Sequence, residues 1–262
     1  MDEIWTINRI EKHWIEEIFN KPVKNVPVAI DENIFLKSYE KLQIPETYNK
    51  YTFYTIGENI KRKNLEALIK AFHMAFGKND NVSLLIKSGN QGMSPDQSAN
   101  ILSSMSRDIK LKLKKYGRIS KYLEEIVLTQ QLTDEQIYRL HQNGDCYVCP
   151  SYAESWCIPA LQALCFGKRL IGTHSAGIDE FYTDDCLLVN SNKVPCYDTQ
   201  DSVSHRYTCR ETWEEVDVLD LSRKMREAYE ERLEPNVMSA EEAIEPFTYH
   251  EVGKRLREAL EC

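Results

Sequence analysis

Short apolar runs alternate along the chain with stretches in which apolar residues recur every three or four positions. The short runs predict strands, and the longer spacing predicts helices with one buried face. The predicted strands are 51–56, 82–86, 126–128, 146–149, 169–172 and 185–189. The predicted helices are 65–76, 94–122, 133–140, 158–166 and a tail from 218 onward that is broken near Pro235 and Pro246. Strands separated by helices indicate βαβ units, so the expected fold class is α/β, a Rossmann-like parallel sheet with helices on both faces.

Two regions fit this alternation poorly. The pattern of residues 1–25 predicts a strand and a helix ahead of the sheet, and that of residues 26–35 predicts an extended connector. Residues 190–216 are polar and show no regular spacing, which predicts an irregular segment at the surface. The sheet itself is therefore expected to lie within residues 37–262, with 1–36 as a separate leading piece.

Composition and charge narrow the class of protein. The 262 residues are 42% hydrophobic, which suffices for one α/β core with appendages. The net charge of −8 argues against nucleic-acid binding, which needs a basic face. The first residues show no basic segment followed by an apolar one, and no run approaches the roughly 18 apolar residues of a membrane span. Together with eight cysteines, these features predict a cytoplasmic protein with reduced thiols.

Cys146 and Cys149 form a C-x-x-C pair, a spacing also found in metal and redox motifs. Both lie in a predicted strand, where positions three apart point to opposite faces. Their sulfurs are therefore not expected to converge on one ion, and two buried thiols are the favoured interpretation. We predict neither a metal nor a cofactor.

In an open parallel sheet, ligands bind beyond the carboxyl ends of the strands, beside helix N-termini. The candidate loops are 57–64, 88–95 and 150–157. The first holds Lys61, Arg62 and Lys63 just before a helix, which suits an anion, although a solvated charge cluster is the commoner meaning of such a triplet. Neither G-x-G-x-x-G after a strand nor G-x-x-x-x-G-K-[ST] occurs, which argues against dinucleotide-dependent oxidoreductases and P-loop enzymes.

The loop 150–157 ends a strand and opens a helix, with Pro159 in the first helical turn. Glu154 lies in this loop, and Gln162 follows eight residues later on the helix. One polar group at the mouth and one along the helix suit two parts of a single ligand. A carboxylate that caps the helix is the alternative for Glu154, and spacing alone does not choose between the two.

Several spaced elements carry a resemblance to a known family. The segment 151–180, with Glu154 and Gln162 at the ends of an E-x7-Q stretch, resembles the E-x7-E region of family-4 glycosyltransferases with the GT-B fold. Residues 62–72 are similar to that family's R-K-N-x6-A-F element, residues 132–140 resemble the helix before its fourth strand, and residues 247–256 resemble its terminal helix. The resemblance implies that 1–36 is the remnant of an N-terminal domain with its linker. It also implies that 37–262 is the nucleotide-sugar-binding, C-terminal half of a GT-B fold.

The resemblance implies a role for each residue of the site. Lys63, with Arg62 beside it, neutralises the diphosphate of the donor, and Glu154 contacts hydroxyls of the donor sugar. Family members of this kind need no metal for that task. The remaining donor-binding positions are Gly57, Trp156, Cys157, Ile158 and Gln162. Many members have glutamate where this chain has Gln162, so the grip on the ribose is expected to weaken by about 1–2 kcal/mol. A side chain at Cys157, where many members have glycine, is expected to crowd the approach of phosphate.

Two function classes follow. The first is a retaining glycosyltransferase half that moves a hexose from a nucleoside diphosphate sugar to a glycan or sugar acceptor. In this class, another chain is expected to supply the acceptor domain, either a separate N-terminal-domain chain or a second copy in a homo-oligomer. The alternative is that the acceptor domain has been lost by truncation. The second is a non-catalytic nucleotide-sugar-binding subunit or a degenerate remnant. A weaker idea treats the basic stretch 107–121 as a peripheral membrane contact, with a solvated helix face as the favoured alternative.

Overall fold

The computed structural model describes residues 2–175, 177–183, 185–197, 207–208, 210–231 and 240–261. The strands are β1 (Ile4–Thr6), β2 (Val23–Asn25), β3 (Tyr51–Glu58), β4 (Val82–Gly89), β5 (Ile126–Leu128), β6 (Cys146–Cys149), β7 (Arg169–Thr173), β8 (Leu187–Val189), β9 (Ser191–Pro195) and β10 (Thr212–Val216). The helices are α1 (Arg9–Ile18), α2 (Glu32–Phe35), α3 (Leu65–Ala75), α4 (Pro95–Leu113), α5 (Asp134–Asn143), α6 (Ile158–Cys165), α7 (Val218–Glu230), α8 (Ala240–Ile244) and α9 (Tyr249–Glu261).

The central sheet has six strands in the order β5-β4-β3-β6-β7-β8, and every neighbouring pair is parallel. The chain builds outward from β3 to β5, then returns to β6 on the other side of β3. This is the strand order of doubly wound nucleotide-binding folds, in which the order reverses at a switch point between the two central strands. The predicted α/β class with a Rossmann-like parallel sheet is confirmed.

Each face of the sheet has its own apolar core. The layer with α3, α4 and α7 receives Cys146 and Val148 of β6, and the layer with α5, α6 and α8 receives Tyr147 and Cys149. Successive side chains of a strand point to opposite faces, so a strand buried on both sides alternates between the two cores. Cys146 and Cys149 therefore lie on opposite faces, as the sequence predicted.

The helix predicted over 94–122 is shorter in the structure. It begins at a capping box in which Ser94 and Gln97 bond to each other's backbone, and it ends at Leu113 because Lys114 adopts a left-handed backbone with φ of 52°. Residues Ile119–Lys121 form a separate 3-10 turn. The periodicity predicted one helix because the apolar spacing continues across this break.

The leading residues form the predicted strand and helix. β1 pairs with β2 in parallel, and α1 follows β1. The connector predicted to be extended contains α2, because the side chain of Asp31 caps that helix by accepting from Asn33 N at 3.0 Å.

Within 190–216, predicted to be irregular and at the surface, the irregular pattern is wrong for the residues of β9 and β10, while most of the described side chains are exposed or half-buried as predicted. β9 and β10 pair antiparallel there, with Trp213 opposite Val194. The ring of Trp213 stacks on Tyr152, with 4.4 Å between centroids, and both side chains are buried. This stacking and the burial of Val216 anchor a strand whose other residues are polar. Among the described residues, none of the helices combines the length and apolar character needed to cross a bilayer.

Candidate functional site

The switch point between β3 and β6 brings together the loops that follow these two strands. The loop after β3 carries the 3-10 turn Lys61–Lys63, and the loop after β6 leads into α6. Asn64 joins the turn to α3 by adopting a left-handed backbone, with φ of 54°, and its side chain accepts from Ala67 N. Asparagine is one of the few residues that tolerate this conformation, so the local sequence fixes where Arg62 and Lys63 lie.

Glu154 joins the two loops through ion pairs with both cations. Its Oε1 accepts from Lys63 Nζ at 2.7 Å, and its Oε2 lies 3.0 Å from Arg62 Nη1. Arg62 Nη1 also donates to Ala153 O at 2.7 Å, and Arg62 O accepts from Tyr152 N at 2.8 Å. The arrangement, called the ion triad below, consists of Arg62, Lys63 and Glu154.

Burial and charge oppose each other in the ion triad. The Glu154 side chain is only 5% exposed, and burial alone would raise its pKa, but the charges of Lys63 and Arg62 bring the pKa below its usual value. Burial would lower the pKa of Lys63, and Glu154 raises it overall. All three groups are therefore charged at neutral pH.

The N-terminus of α6 lies at the end of the same loop. Its N-cap residue is Cys157, whose side chain makes no capping hydrogen bond, and both carboxylate oxygens of Glu154 are paired with the two cations of the ion triad. The structure therefore does not support the alternative in which Glu154 is the cap. The first turn of a helix holds backbone N–H groups without intrahelical partners, which favour an anion. Trp156 and Cys157 are buried and Ile158 is half exposed, so these residues contribute mainly backbone to this end of the helix.

Cys157 occupies a backbone conformation that glycine prefers. Its φ is 58°, and its sulfur lies inside the protein, 3.5 Å from Cys149 Sγ. The thiol therefore points into the core at β6. Gly57 lies beside the stem of Lys63 on the other loop: a Cβ there would be 3.5 Å from Lys63 Cε, an ordinary contact distance.

Gln162 lies apart from the ion triad. It is half-buried on α6, and its side chain faces His141 at the end of α5. His141 Nδ1 bonds to the Tyr54 hydroxyl at 2.8 Å, while its Nε2 has no partner within hydrogen-bonding distance among the described residues. The role of Gln162 toward a ribose stays a prediction, as do the roles of the other site residues.

His141 predicts a specific loss of stability in mild acid. Burial lowers its pKa from 6.5 to about 3, so between these values the unfolded chain binds a proton that the folded chain does not. The free energy of unfolding is therefore expected to be about 2 kcal/mol lower at pH 5 than at pH 8 through this residue alone. Chemical denaturation at both pH values measures the difference, which is expected to shrink in His141→Gln.

Glu125 does not obscure this measurement. Burial raises the pKa of Glu125, but its bonds to His73 and Lys110 lower it to about 2 overall, so its contribution is lost only as the pH falls from about 4.5 toward 2. An equal pH dependence in the native chain and in His141→Gln would contradict the prediction.

A pocket of about 1020 Å³ opens beside the ion triad. Arg62, Glu154 and Trp156 line one side, α1 lines a second through Ile10 and Trp14, and the β9–β10 pair lines a third. An elongated ligand at the triad would thus extend toward the leading residues of the chain.

Two residues that support this loop were not identified from the sequence. Asn8 is buried and donates from Nδ2 to Ser155 O at 2.9 Å, and Gly177 N donates to Glu154 O at 2.9 Å. Asn8 also caps α1. An asparagine just before a predicted helix indicates such a cap, but it does not indicate the bond to Ser155.

Cys149, Glu154 and Cys157 hold their ligand atoms within 4.8 Å of one another. Two thiols and a carboxylate suit a soft divalent cation. Both carboxylate oxygens, however, are already bonded to Arg62 and Lys63, which place positive charge at that point. The absence of a functional metal stays a prediction.

The basic stretch 107–121 is partly committed to internal contacts. Lys110 is buried and bonds to Glu125 at 2.8 Å, and Lys115 Nζ donates to three carbonyls at the end of α3. Lys110 and Lys115 are thus engaged in contacts within the protein, so fewer basic groups of this stretch are available to bind a membrane surface.

The comparisons with known proteins agree with this geometry. The model of the family described as glycosyl transferases group 1 matches residues 37–195, more than half of the chain. Among curated proteins, none matches significantly.

Solved structures similar to the chain share its fold. They include sucrose-phosphate synthase from Thermosynechococcus elongatus (14% identity, TM-score 0.66) and Anabaena HepE in complex with UDP and glucose (12%, 0.69). A UDP-forming trehalose-phosphate synthase from Burkholderia xenovorans is similar too (12%, 0.64). Each match covers 99% of this chain but only 58%, 63% and 60% of the other chain, in that order.

The sheet therefore corresponds to part of the longer GT-B glycosyltransferase structures. With the family model matched across the ion triad and α6, the chain belongs to the glycosyl transferases group 1 family.

Proposed function

We propose that the chain is the donor-binding half of a retaining, family-4-type glycosyltransferase. It transfers a hexose from a nucleoside diphosphate sugar to a sugar or glycan acceptor. The observation that carries this proposal is the ion triad, in which two cations from one loop and a buried carboxylate from the next meet at the switch point beside α6.

Each part of the triad has a task in the proposed reaction. Lys63 and Arg62 bind the diphosphate and stabilise the negative charge that develops on it as the sugar departs. The uncapped N-terminus of α6 adds backbone donors and a positive dipole end. Glu154 then turns from the cations to the hydroxyls of the donor sugar.

A uridine diphosphate sugar is the first donor to test. Three of the similar solved structures are HepE complexes with UDP, with UDP-glucose, or with UDP and glucose. At 11–12% identity, the likeness to these structures shows a shared fold and nothing more. The base and the sugar of the donor are therefore part of the proposal.

Residues 1–36 are proposed to belong to the acceptor side of the site. This part of the proposal is supported by α1, which lines the pocket of about 1020 Å³, and by Asn8, which is bonded to the donor loop. We propose that a further acceptor-binding domain completes the site, in a separate chain or a second copy of this one. The cytoplasm is the proposed compartment, because the six described cysteines are free thiols.

A non-catalytic nucleotide-sugar-binding subunit is the second candidate. The observation that favours it is Gln162, which has no charge and faces His141. The two candidates share a donor site and differ only in turnover.

Calorimetric titration with UDP, GDP, ADP and their sugars tests the shared part. Lys63→Ala is expected to weaken binding by about 10- to 30-fold, the loss of one charge-assisted hydrogen bond. Lys70→Ala removes a lysine of α3 whose Nζ is paired with Glu66, and it is expected to leave the affinity unchanged. Binding to none of these nucleotides would contradict both candidates.

Turnover then separates the two candidates. The enzyme hypothesis predicts hydrolysis or transfer of the bound sugar once a candidate acceptor-domain chain is added. Nucleotide binding without any sugar release, with and without that chain, would favour the binding subunit.

A further inference from the structure

Two cysteine sulfurs lie in contact beneath the donor loop. Cys149 is the last residue of β6 and Cys157 occupies the N-cap position of α6. Their Sγ atoms are 3.5 Å apart. Both side chains are buried, and both thiols are free. The loop between the two cysteines carries Glu154, so the two sulfurs lie in contact where this loop begins and ends.

The surroundings favour a thiolate at Cys149 rather than at Cys157. The hydrogen bond from Cys157 lowers the pKa of Cys149 overall, against burial and the Glu154 carboxylate, which raise it, and the Lys63 ammonium also lowers it. The same hydrogen bond and burial raise the pKa of Cys157. The thiolate is the form that oxidants attack, and Cys149 is the cysteine of the pair whose pKa is lowered. Glu154, with an oxygen within 4.8 Å of both sulfurs, lines the open pocket, whereas the two cysteines lie behind it in the core.

We propose that Cys149 and Cys157 form a reversible disulfide under the donor loop. Hydrogen peroxide is the oxidant in the first step: the Cys149 thiolate attacks one peroxide oxygen, the O–O bond breaks, and Cys149 becomes a sulfenic acid while hydroxide leaves and accepts a proton to give water. The Cys157 sulfur then attacks the Cys149 sulfur, the S–S bond forms, and the sulfenic oxygen leaves as water with the Cys157 proton. Two electrons pass from the thiol pair to the peroxide. A dithiol then reduces the disulfide back to two thiols by thiol–disulfide exchange.

The disulfide closes the donor site. An S–S bond is about 2.05 Å long, so the sulfurs approach each other by about 1.5 Å. The shift draws the first turn of α6 toward β6 and displaces the backbone donors at this end of the helix. This consequence rests on the proposed donor function, because a diphosphate needs these groups in place.

Mass spectrometry of the whole chain tests the disulfide itself. The chain is treated with hydrogen peroxide, its remaining thiols are alkylated, and it is digested with trypsin, which leaves both cysteines in the peptide 140–168. A second cleavage after Tyr152 or Trp156 is expected to leave two fragments joined by one disulfide, which dithiothreitol separates. Oxidation without this link, or a link to another cysteine, would overturn the proposal.

Three variants control the measurement. Cys157→Ser is expected to abolish the link, and Cys157→Gly serves the same purpose with a residue suited to the left-handed backbone. Cys165→Ser, buried further along α6, is expected to keep the link.

UDP titration of the reduced and the oxidised chain tests the closure. Oxidation is expected to weaken binding at least tenfold, with full recovery after dithiothreitol and no effect of oxidant in Cys157→Gly. A disulfide that forms without changing the affinity would overturn the closure. If the reduced chain binds no nucleotide, the proposed donor function fails, and the mass measurement still decides the disulfide.

Discussion

Glu154→Gln is expected to lower the free energy of unfolding by about 3 kcal/mol and to strengthen UDP binding at the same time. Removing one partner of a buried ion pair costs about 3–5 kcal/mol, because the remaining charge is left without compensation. The side chains of Arg62 and Lys63 are 27% and 17% exposed, so water compensates them in part and the lower end of that range applies.

The gain in UDP affinity has an electrostatic cause. In the free chain the carboxylate neutralises one of the two cations, and in the variant both positive charges face the diphosphate. We expect binding to be about three- to tenfold tighter, on the order of 1 kcal/mol, and the gain to shrink as salt is added. For a UDP-sugar the gain is expected to be smaller, because the variant loses the contact that we assign to Glu154 with the sugar.

Chemical denaturation and calorimetry measure the two effects. Glu227→Gln is the matched control, because Glu227 pairs with Lys224 on the surface of α7, where the pair is expected to contribute less than about 1 kcal/mol. A loss of stability in Glu154→Gln no larger than in this control, or a weaker affinity for UDP, would contradict the assignment of the triad.

The sequence predicted the framework of the site because that framework follows from short-range patterns. The apolar runs at β3 and β6 and the helices between them indicated a parallel sheet, and a parallel sheet brings the ends of its strands to one edge. Arg62, Lys63 and Glu154 therefore had to approach one another. The helix predicted over 133–140 was confirmed for the same reason, since the capping box that begins it joins Thr133 and Gln136, three residues apart.

The remaining features depend on contacts between distant residues. The stacking of Trp213 on Tyr152, which stabilises β10, joins positions 61 residues apart, and the polar pattern around Trp213 contains no sign of it. The Cys149–Cys157 contact arises because Cys157 adopts a positive φ and turns its sulfur back to β6. The sequence drew attention to Cys146 instead, which lies on the opposite face.

Gly177 has the same long-range character and leads to the second large prediction. Its N–H donates to Glu154 O, and a Cβ built on it would lie 2.3 Å from Trp156 N and 2.4 Å from Ser155 C. These are main-chain atoms of the donor loop, which cannot rotate away as a side chain does. Glycine is therefore required here by close approach of two backbones, although its own φ of −75° is ordinary.

Gly177→Ala is expected to lower the free energy of unfolding by about 3 kcal/mol, the upper end for an overpacked site, since Ser155 and Trp156 must shift. The same shift moves the backbone donors at the N-terminus of α6, so UDP binding is expected to fall at least tenfold. Denaturation and calorimetry of Gly253→Ala provide the control, because a Cβ there meets nothing within 4 Å in α9, and the change is expected to stabilise the chain by up to about 1 kcal/mol. Native stability together with native UDP affinity in Gly177→Ala would show that the donor loop does not depend on this contact.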